Sequence, residues 1–172
     1  MEKTLVIYYS RRGENYVNGS IAKIDKGNTE YVAEFIKEIL NADLFEIETV
    51  KKYSDSYMAC IEEAKKEASE NMRPELKKYL DDISEYKNIF VAGPCWWGTY
   101  PYAIFTQIEK LDFNGKKVFP IMTHEGSGLA NSVADLKKYC KGAEICKGLA
   151  IRGADAKNSK SVVEKFIKEN LQ

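Results

Sequence analysis

The chain has 172 residues, and its 26 basic side chains balance 26 acidic ones, so no excess charge advertises nucleic acid or a membrane surface as a partner. Hydrophobic residues make up 44% and charged residues 30%, which excludes a disordered chain, and no stretch approaches the roughly 18 apolar residues of a membrane span. That length suits one domain over residues 1–172 with a substantial core, needing neither metal nor disulfide to fold. Cys60, Cys95, Cys140 and Cys146 have neither CxxC nor zinc-type spacing and are expected as reduced, mostly buried thiols. The N-terminus lacks a cleavable leader pattern, so the expected location is the cytoplasm.

The first strand is the apolar run Thr4 to Ser10, in which Leu5 to Tyr9 show no polar alternation, as in a parallel strand covered on both faces. An expanded polar segment, Glu14 to Lys26, separates it from a helix opening at Gly27-Asn28-Thr29, with Val32, Phe35, Ile36, Ile39 and Leu40 along one face. Leu44 to Glu48 partly alternates and suits an edge strand. Ser54 or Asp55 is placed to cap a second helix carrying Tyr57, Ile61, Ala64 and Ala68 on one side. Arg73-Pro74 interrupts that helix, and a further helical piece is expected around Leu76, Tyr79 and Leu80.

Asn88 to Gly93 is a second fully buried strand, and it discharges into Pro94-Cys95-Trp96-Trp97-Gly98-Thr99-Tyr100-Pro101, the densest aromatic cluster in the chain. A helix with Ile104, Phe105, Ile108 and Leu111 inward follows, and Asn114-Gly115 turns into the strand Lys117 to Thr123. Pro120 has no N–H for a ladder, so a bulge or an unpaired position is expected there. His124-Glu125-Gly126-Ser127-Gly128 ends the strand. Then come a helix with Leu129, Val133, Leu136 and Cys140 inward, a last strand from Glu144 to Arg152, and a final helix burying Val162, Val163, Phe166 and Ile167. Five strands alternating with helices, joined by right-handed crossovers, require an α/β three-layer sandwich: a five-stranded parallel sheet with helices on both faces.

In such a sheet, ligands bind beyond the carboxyl ends of the strands. Three loops there are unusual. Ser10 to Thr29 brings a hydroxyl, an amide and the free N–H groups of a helix start to one point, where the helix dipole favours an anion. Pro94 to Pro101 offers flat aromatic surface, and Thr123 to Gly128 offers small residues that a ligand can approach closely. Together they describe a phosphorylated planar ligand. The Walker lysine is missing after Gly27, and no GxGxxG follows the first strand, which disfavours P-loop and dinucleotide sites and leaves a mononucleotide with a large ring.

The strand ending in Ser-x-x-Gly, the Gly-Asn-Thr helix start, the Pro-x-Trp-Trp-Gly-x-x-Pro loop and the Thr-His-x-Gly-Ser-Gly loop, in this order at three strand ends, resemble a flavodoxin over essentially the whole chain. The resemblance implies strand order 2-1-3-4-5 and FMN bound non-covalently. It implies that Ser10, Asn28 and Thr29 hold the ribityl phosphate, with Arg11, Arg12, Gly13 and Asn15 nearby. Pro94, Cys95, Trp96, Trp97 and Gly98 would lie along the isoalloxazine, Trp97 being favoured over Trp96 for stacking, and Thr123, Gly126, Ser127 and Gly128 would close the other side. His124 would either donate to the pyrimidine edge or be a simple loop residue.

Two features depart from the simplest pattern of that family: the Glu14 to Lys26 expansion, within which Tyr16 and Asn18 would contact or cover the ligand, and the balanced charge, where electron-carrying relatives are acidic. The functional expectation is an FMN-binding electron-transfer protein serving redox partner proteins or a small-molecule acceptor. The alternative is an NAD(P)H-dependent quinone reductase. A phosphoaspartyl receiver is disfavoured, because its first strand ends in acidic residues and this one ends in Tyr9-Ser10.

Overall fold

The computed structural model describes residues 2–171. In chain order the elements are β1 (Thr4–Tyr8), β2 (Gly13–Val17), β3 (Ser20–Ile24), α1 (Asn28–Leu40), β4 (Asp43–Glu46), α2 (Tyr57–Ser69), β5 (Asn88–Pro94), α3 (Tyr102–Ile108), β6 (Lys117–His124), α4 (Ser132–Tyr139), β7 (Glu144–Ile145), β8 (Leu149–Arg152), a 3-10 turn (Gly153–Asn158) and α5 (Lys160–Asn170). The main sheet runs β4-β1-β5-β6-β7, with β8 also paired to β6, and all its ladders are parallel. With the separate β2–β3 pair set aside, this is the order 2-1-3-4-5. Among the described residues no helix is long and apolar enough to cross a membrane.

The unalternating strands do what their composition dictates. Successive side chains point to opposite faces, so Leu5, Ile7, Ile89, Val91, Val118 and Met122 pack on one side with Ile104, Phe105 and Leu136. Val6, Tyr8, Phe90, Ala92, Phe119 and Ile121 pack on the other with Val32, Ile36, Val163 and Phe166. Val162, expected inside, is half exposed; α5 turns it to solvent while Val163, Phe166 and Ile167 face the sheet.

Pro120 sits in an unbroken β6, opposite Val91. Its outer neighbour is where the ladder breaks: β7 ends with Ile145 opposite Val118, and β8 resumes with Leu149 opposite Ile121. Four steps on the outer strand answer three on β6, so the expected bulge lies in the partner strand. The missing N–H faces this gap, where the Pro120 carbonyl lies 2.9 Å from the Cβ position of Gly148.

Three local expectations need correcting. No helix forms around Leu76 to Leu80; that segment is irregular, with Leu76 bridged antiparallel to Thr49 and the Leu80 backbone held at both ends of the buried Gln107 amide. The cap of α2 is Ser56, whose Oγ accepts from the Ala59 N–H, and the helix ends before Asn71 in a left-handed conformation rather than at Arg73-Pro74. The segment from Glu14 to Lys26 is an antiparallel hairpin with Val17 opposite Ser20, closed by Asn18 (φ 50°) and Gly19 (φ 85°). Asn-Gly is the strongest short hairpin signal a sequence carries.

Candidate functional site

The loops after β1, β5 and β6 meet over the carboxyl edge of the sheet and enclose a cleft of about 290 Å³. Asn15, Asn28, Pro94, Cys95, Trp96, Thr123, Gly126 and Ser127 line it, together with Tyr16, Tyr57, His124, Glu125 and Gly153.

At one end stands the start of α1. Its first N–H groups have no carbonyl to reach within the helix, and the third, on Glu30, is taken by Ser10 Oγ at 3.0 Å. Ser10 therefore caps α1 from the end of β1, a role open to it because Gly27 has no side chain: a Cβ there would lie 1.9 Å from Ser10 Oγ. The Asn28 and Thr29 N–H groups remain at the helix mouth. The Thr29 hydroxyl is buried against that of Thr123 at 2.8 Å, tying the first loop to the third.

Neither arginine of the first loop lines this cleft. Arg12 is paired with Glu30 and Glu46 at 3.0 and 3.1 Å. Arg11 turns toward α2, giving Nε–H to the Glu14 carbonyl and Nη2–H to the carbonyls of Ser54 and Asp55. Gly13 starts β2 and, like Gly128, is not part of the cleft wall.

The aromatic wall is Trp96. Tyr9 and Tyr53 meet its ring edge-on at 5.1 and 5.2 Å, and the Tyr53 hydroxyl donates to Glu67 at 2.6 Å, so the indole is fixed by buried neighbours. Trp97 instead occupies the tip of a tight turn in which Trp96 and Thr99 exchange backbone hydrogen bonds. The turn needs positive φ at both central residues, 55° at Trp97 and 83° at Gly98. An aromatic side chain in that region is strained. Trp97 is 51% exposed, its Nε1–H donates to the Ile61 carbonyl at 3.0 Å, and it stands outside the main cleft. The Gly98 carbonyl accepts from the Asn131 N–H at 2.9 Å, and Thr99 bonds Asp135, which fastens the turn to α4.

Two polar groups of the third loop have defined states. His124 Nδ1 accepts from the Gly126 N–H at 2.9 Å, so the ring proton belongs on Nε2. Burial holds the His124 pKa below its ordinary value and the Arg152 charge adds to this, with Glu125 opposing. Glu125 Oε1 is buried with no hydrogen-bond partner among the described residues. It lies 2.6 Å from the Cβ position of Gly153, as does Asn28 Nδ2, so the absence of a side chain at Gly153 admits both polar groups.

Tyr16 and Tyr57 complete the rim. Their ring centroids are 6.0 Å apart, and the hairpin that carries Tyr16 is bonded to α2 through the Tyr57 N–H, which donates to Glu14 Oε1 at 2.9 Å. Burial first, then the nearby Cys60 and Glu125, raise the Tyr57 pKa, so the phenol keeps its proton at neutral pH. The roles of Tyr57 and Gly153 carried no sequence signal, because each depends on an element distant in the chain.

A profile of the family described as Flavodoxin matches residues 20–169. Among solved structures, a protein from Bacteroides uniformis described as a flavoprotein is 30% identical, with 96% of this chain and 97% of that chain covered and a TM-score of 0.75. One from Bacteroides eggerthii, similarly described, is 24% identical over 99% of this chain and 98% of that one, with a TM-score of 0.75. A Lactobacillus acidophilus flavoprotein crystallised in complex with FMN shares the fold at 18% identity, covering 94% of this chain and 99% of that chain, with a TM-score of 0.62. No curated protein matches the chain.

Proposed function

Because the chain belongs to the flavodoxin family, we propose that it binds FMN non-covalently in this cleft and transfers electrons to redox partner proteins or to a small-molecule acceptor. The observation that carries the reading is the convergence in one cleft of a helix N-terminus, a fixed indole and an orphaned carboxylate oxygen. These fit the three chemical parts of the cofactor: a phosphate, a flat ring system and a hydroxylated chain that can donate to Glu125.

The Asn28 and Thr29 N–H groups bind the phosphate, and Ser10 holds their loop in place. Asn15 and Asn28 offer amides along the cleft. Trp96, with Pro94 and Cys95, forms the wall against the ring, and Gly126 and Ser127 close the opposite side. His124 Nε2–H is a neutral donor for the pyrimidine edge. FMN, when bound, supplies one- and two-electron chemistry; an electron-rich indole beside it disfavours added negative charge and makes the reduced cofactor a stronger donor. Four free thiols support a cytoplasmic setting.

The second reading, an oxidoreductase using NAD(P)H, is favoured by one feature: a further pocket that opens beside Trp96. The visible spectrum of the purified protein, recorded before and after adding FMN and then under anaerobic NAD(P)H with a quinone, tests both. Perturbed flavin bands establish the site. Rapid bleaching by NAD(P)H with turnover of the quinone selects the reductase, bands inert to NAD(P)H select the carrier, and no bound flavin contradicts both.

A further inference from the structure

The second pocket, about 240 Å³, lies between the turn after β5 and the inner face of α2. It shares Tyr57, Cys95 and Trp96 with the cleft, and its remaining walls are Arg11, Cys60, Ile61, Ala64 and Trp97. Two indoles, a phenol and an aliphatic helix face make it a slot for a flat apolar body. Its volume suits a compact body of one or two fused rings.

One wall is different in kind. Arg11 is fixed by three hydrogen bonds from Nε and Nη2, all to backbone carbonyls, and among the described residues no carboxylate pairs with it. A part-buried guanidinium without a counter-charge favours an oxygen-bearing anion. The adjacent Cys60 thiol is pushed up to about 11 by burial, so it stays neutral and leaves the arginine as the pocket's charge.

We propose that this pocket is a separate binding site for a planar aromatic compound of naphthoquinone size carrying an anionic oxygen, its ring enclosed by Trp96, Trp97 and the α2 side chains of Ile61 and Ala64, and its anionic edge on Arg11. The proposal rests on the flavin reading only for the use made of the bound ring, which lies next to the cleft across Trp96; occupancy of the pocket does not depend on it.

The probe is 1,4-naphthoquinone-2-sulfonate, titrated by calorimetry into the FMN-loaded protein, with FMN affinity measured separately by flavin fluorescence. Wild type binds one equivalent. Ile61→Trp, which fills the slot from the helix face, weakens the probe by about tenfold or more and leaves FMN affinity within about twofold. Ala64→Val, a smaller intrusion one turn along, weakens it in the same direction and serves if the indole is not accommodated. Arg11→Lys, which keeps charge but cannot bridge the same carbonyls, weakens the probe less than Ile61→Trp does.

Failure of wild type to bind the probe while binding FMN overturns the proposal. So does a parallel loss of FMN affinity in the Ile61 and Ala64 variants, which would assign the pocket to the flavin itself. If FMN does not bind, the same titration into the protein alone decides the pocket's fate independently of the flavin reading.

Discussion

At the α1 end of the cleft the groups around the proposed phosphate position are braced by buried partners from other elements. Ser10 caps a helix eighteen residues downstream, where Gly27 leaves room for its hydroxyl, and Thr29 locks onto Thr123. At the ring end the wall splits. Trp96 is held by Tyr9 and Tyr53, while its neighbour Trp97 stands strained and half exposed at a turn tip, and Tyr16 of the hairpin is also exposed. On the proposed reading the contrast divides the labour: a preorganised end supplies affinity, and an adaptable end sets access to the ring.

The severest way to break the first end is Gly27→Ala. Gly27 has an ordinary φ of −67°, so the change is purely steric: the new methyl displaces Ser10 Oγ and meets the Arg11 carbonyl at 2.9 Å. Loss of the cap plus overpacking should cost about 3 kcal/mol in urea denaturation, with FMN affinity falling about a hundredfold. Adding Ser10→Gly should recover part of the stability but not the affinity.

A milder break is Thr123→Val, which strands the buried Thr29 hydroxyl at a cost of about 1–3 kcal/mol. Thr29→Val with Thr123→Val should cost less than the sum of the two single changes, a coupling that a double-mutant cycle measures.

At the ring end the two indoles should part company. Trp96→Leu should weaken FMN about tenfold and Trp97→Leu less than about twofold, by fluorescence titration. Trp97→Asn should raise stability by about 0.5–1 kcal/mol, because asparagine tolerates the left-handed turn that tryptophan does not.

The smallest effect concerns His124. Its pKa is lowered in the fold, so the unfolded chain binds a proton first as pH falls. The contribution to stability is present above the ordinary value of 6.5 and lost as pH drops through the folded value. As the chain's one histidine, it gives a single Hε1 resonance by NMR, which should titrate below pH 6.5.

The same contrast separates what was legible in the sequence from what was not. Unalternating runs such as Leu5 to Tyr9, short and bounded by polar turns, specify buried parallel strands, and glycine-rich strand ends specify where a ligand must sit. Asn18-Gly19 specified a hairpin that the polar composition around it concealed. Trp97-Gly98 forms a turn with the same signs of φ from a sequence that no turn preference suggests, since tertiary bonds from Asn131 and Asp135 to Gly98 and Thr99 hold it. The outward turn of Arg12 depends on Glu30 and Glu46, and the orphaned oxygen of Glu125 on a gap at Gly153; such pairings exist only once the chain has folded.

The most direct test of the account is a side-by-side titration of FMN and riboflavin, which share the ring and ribityl chain and differ in the phosphate. If the braced helix start is the source of affinity, FMN should bind at least about a hundredfold more tightly than riboflavin. Equal affinities, or binding of neither, would contradict it.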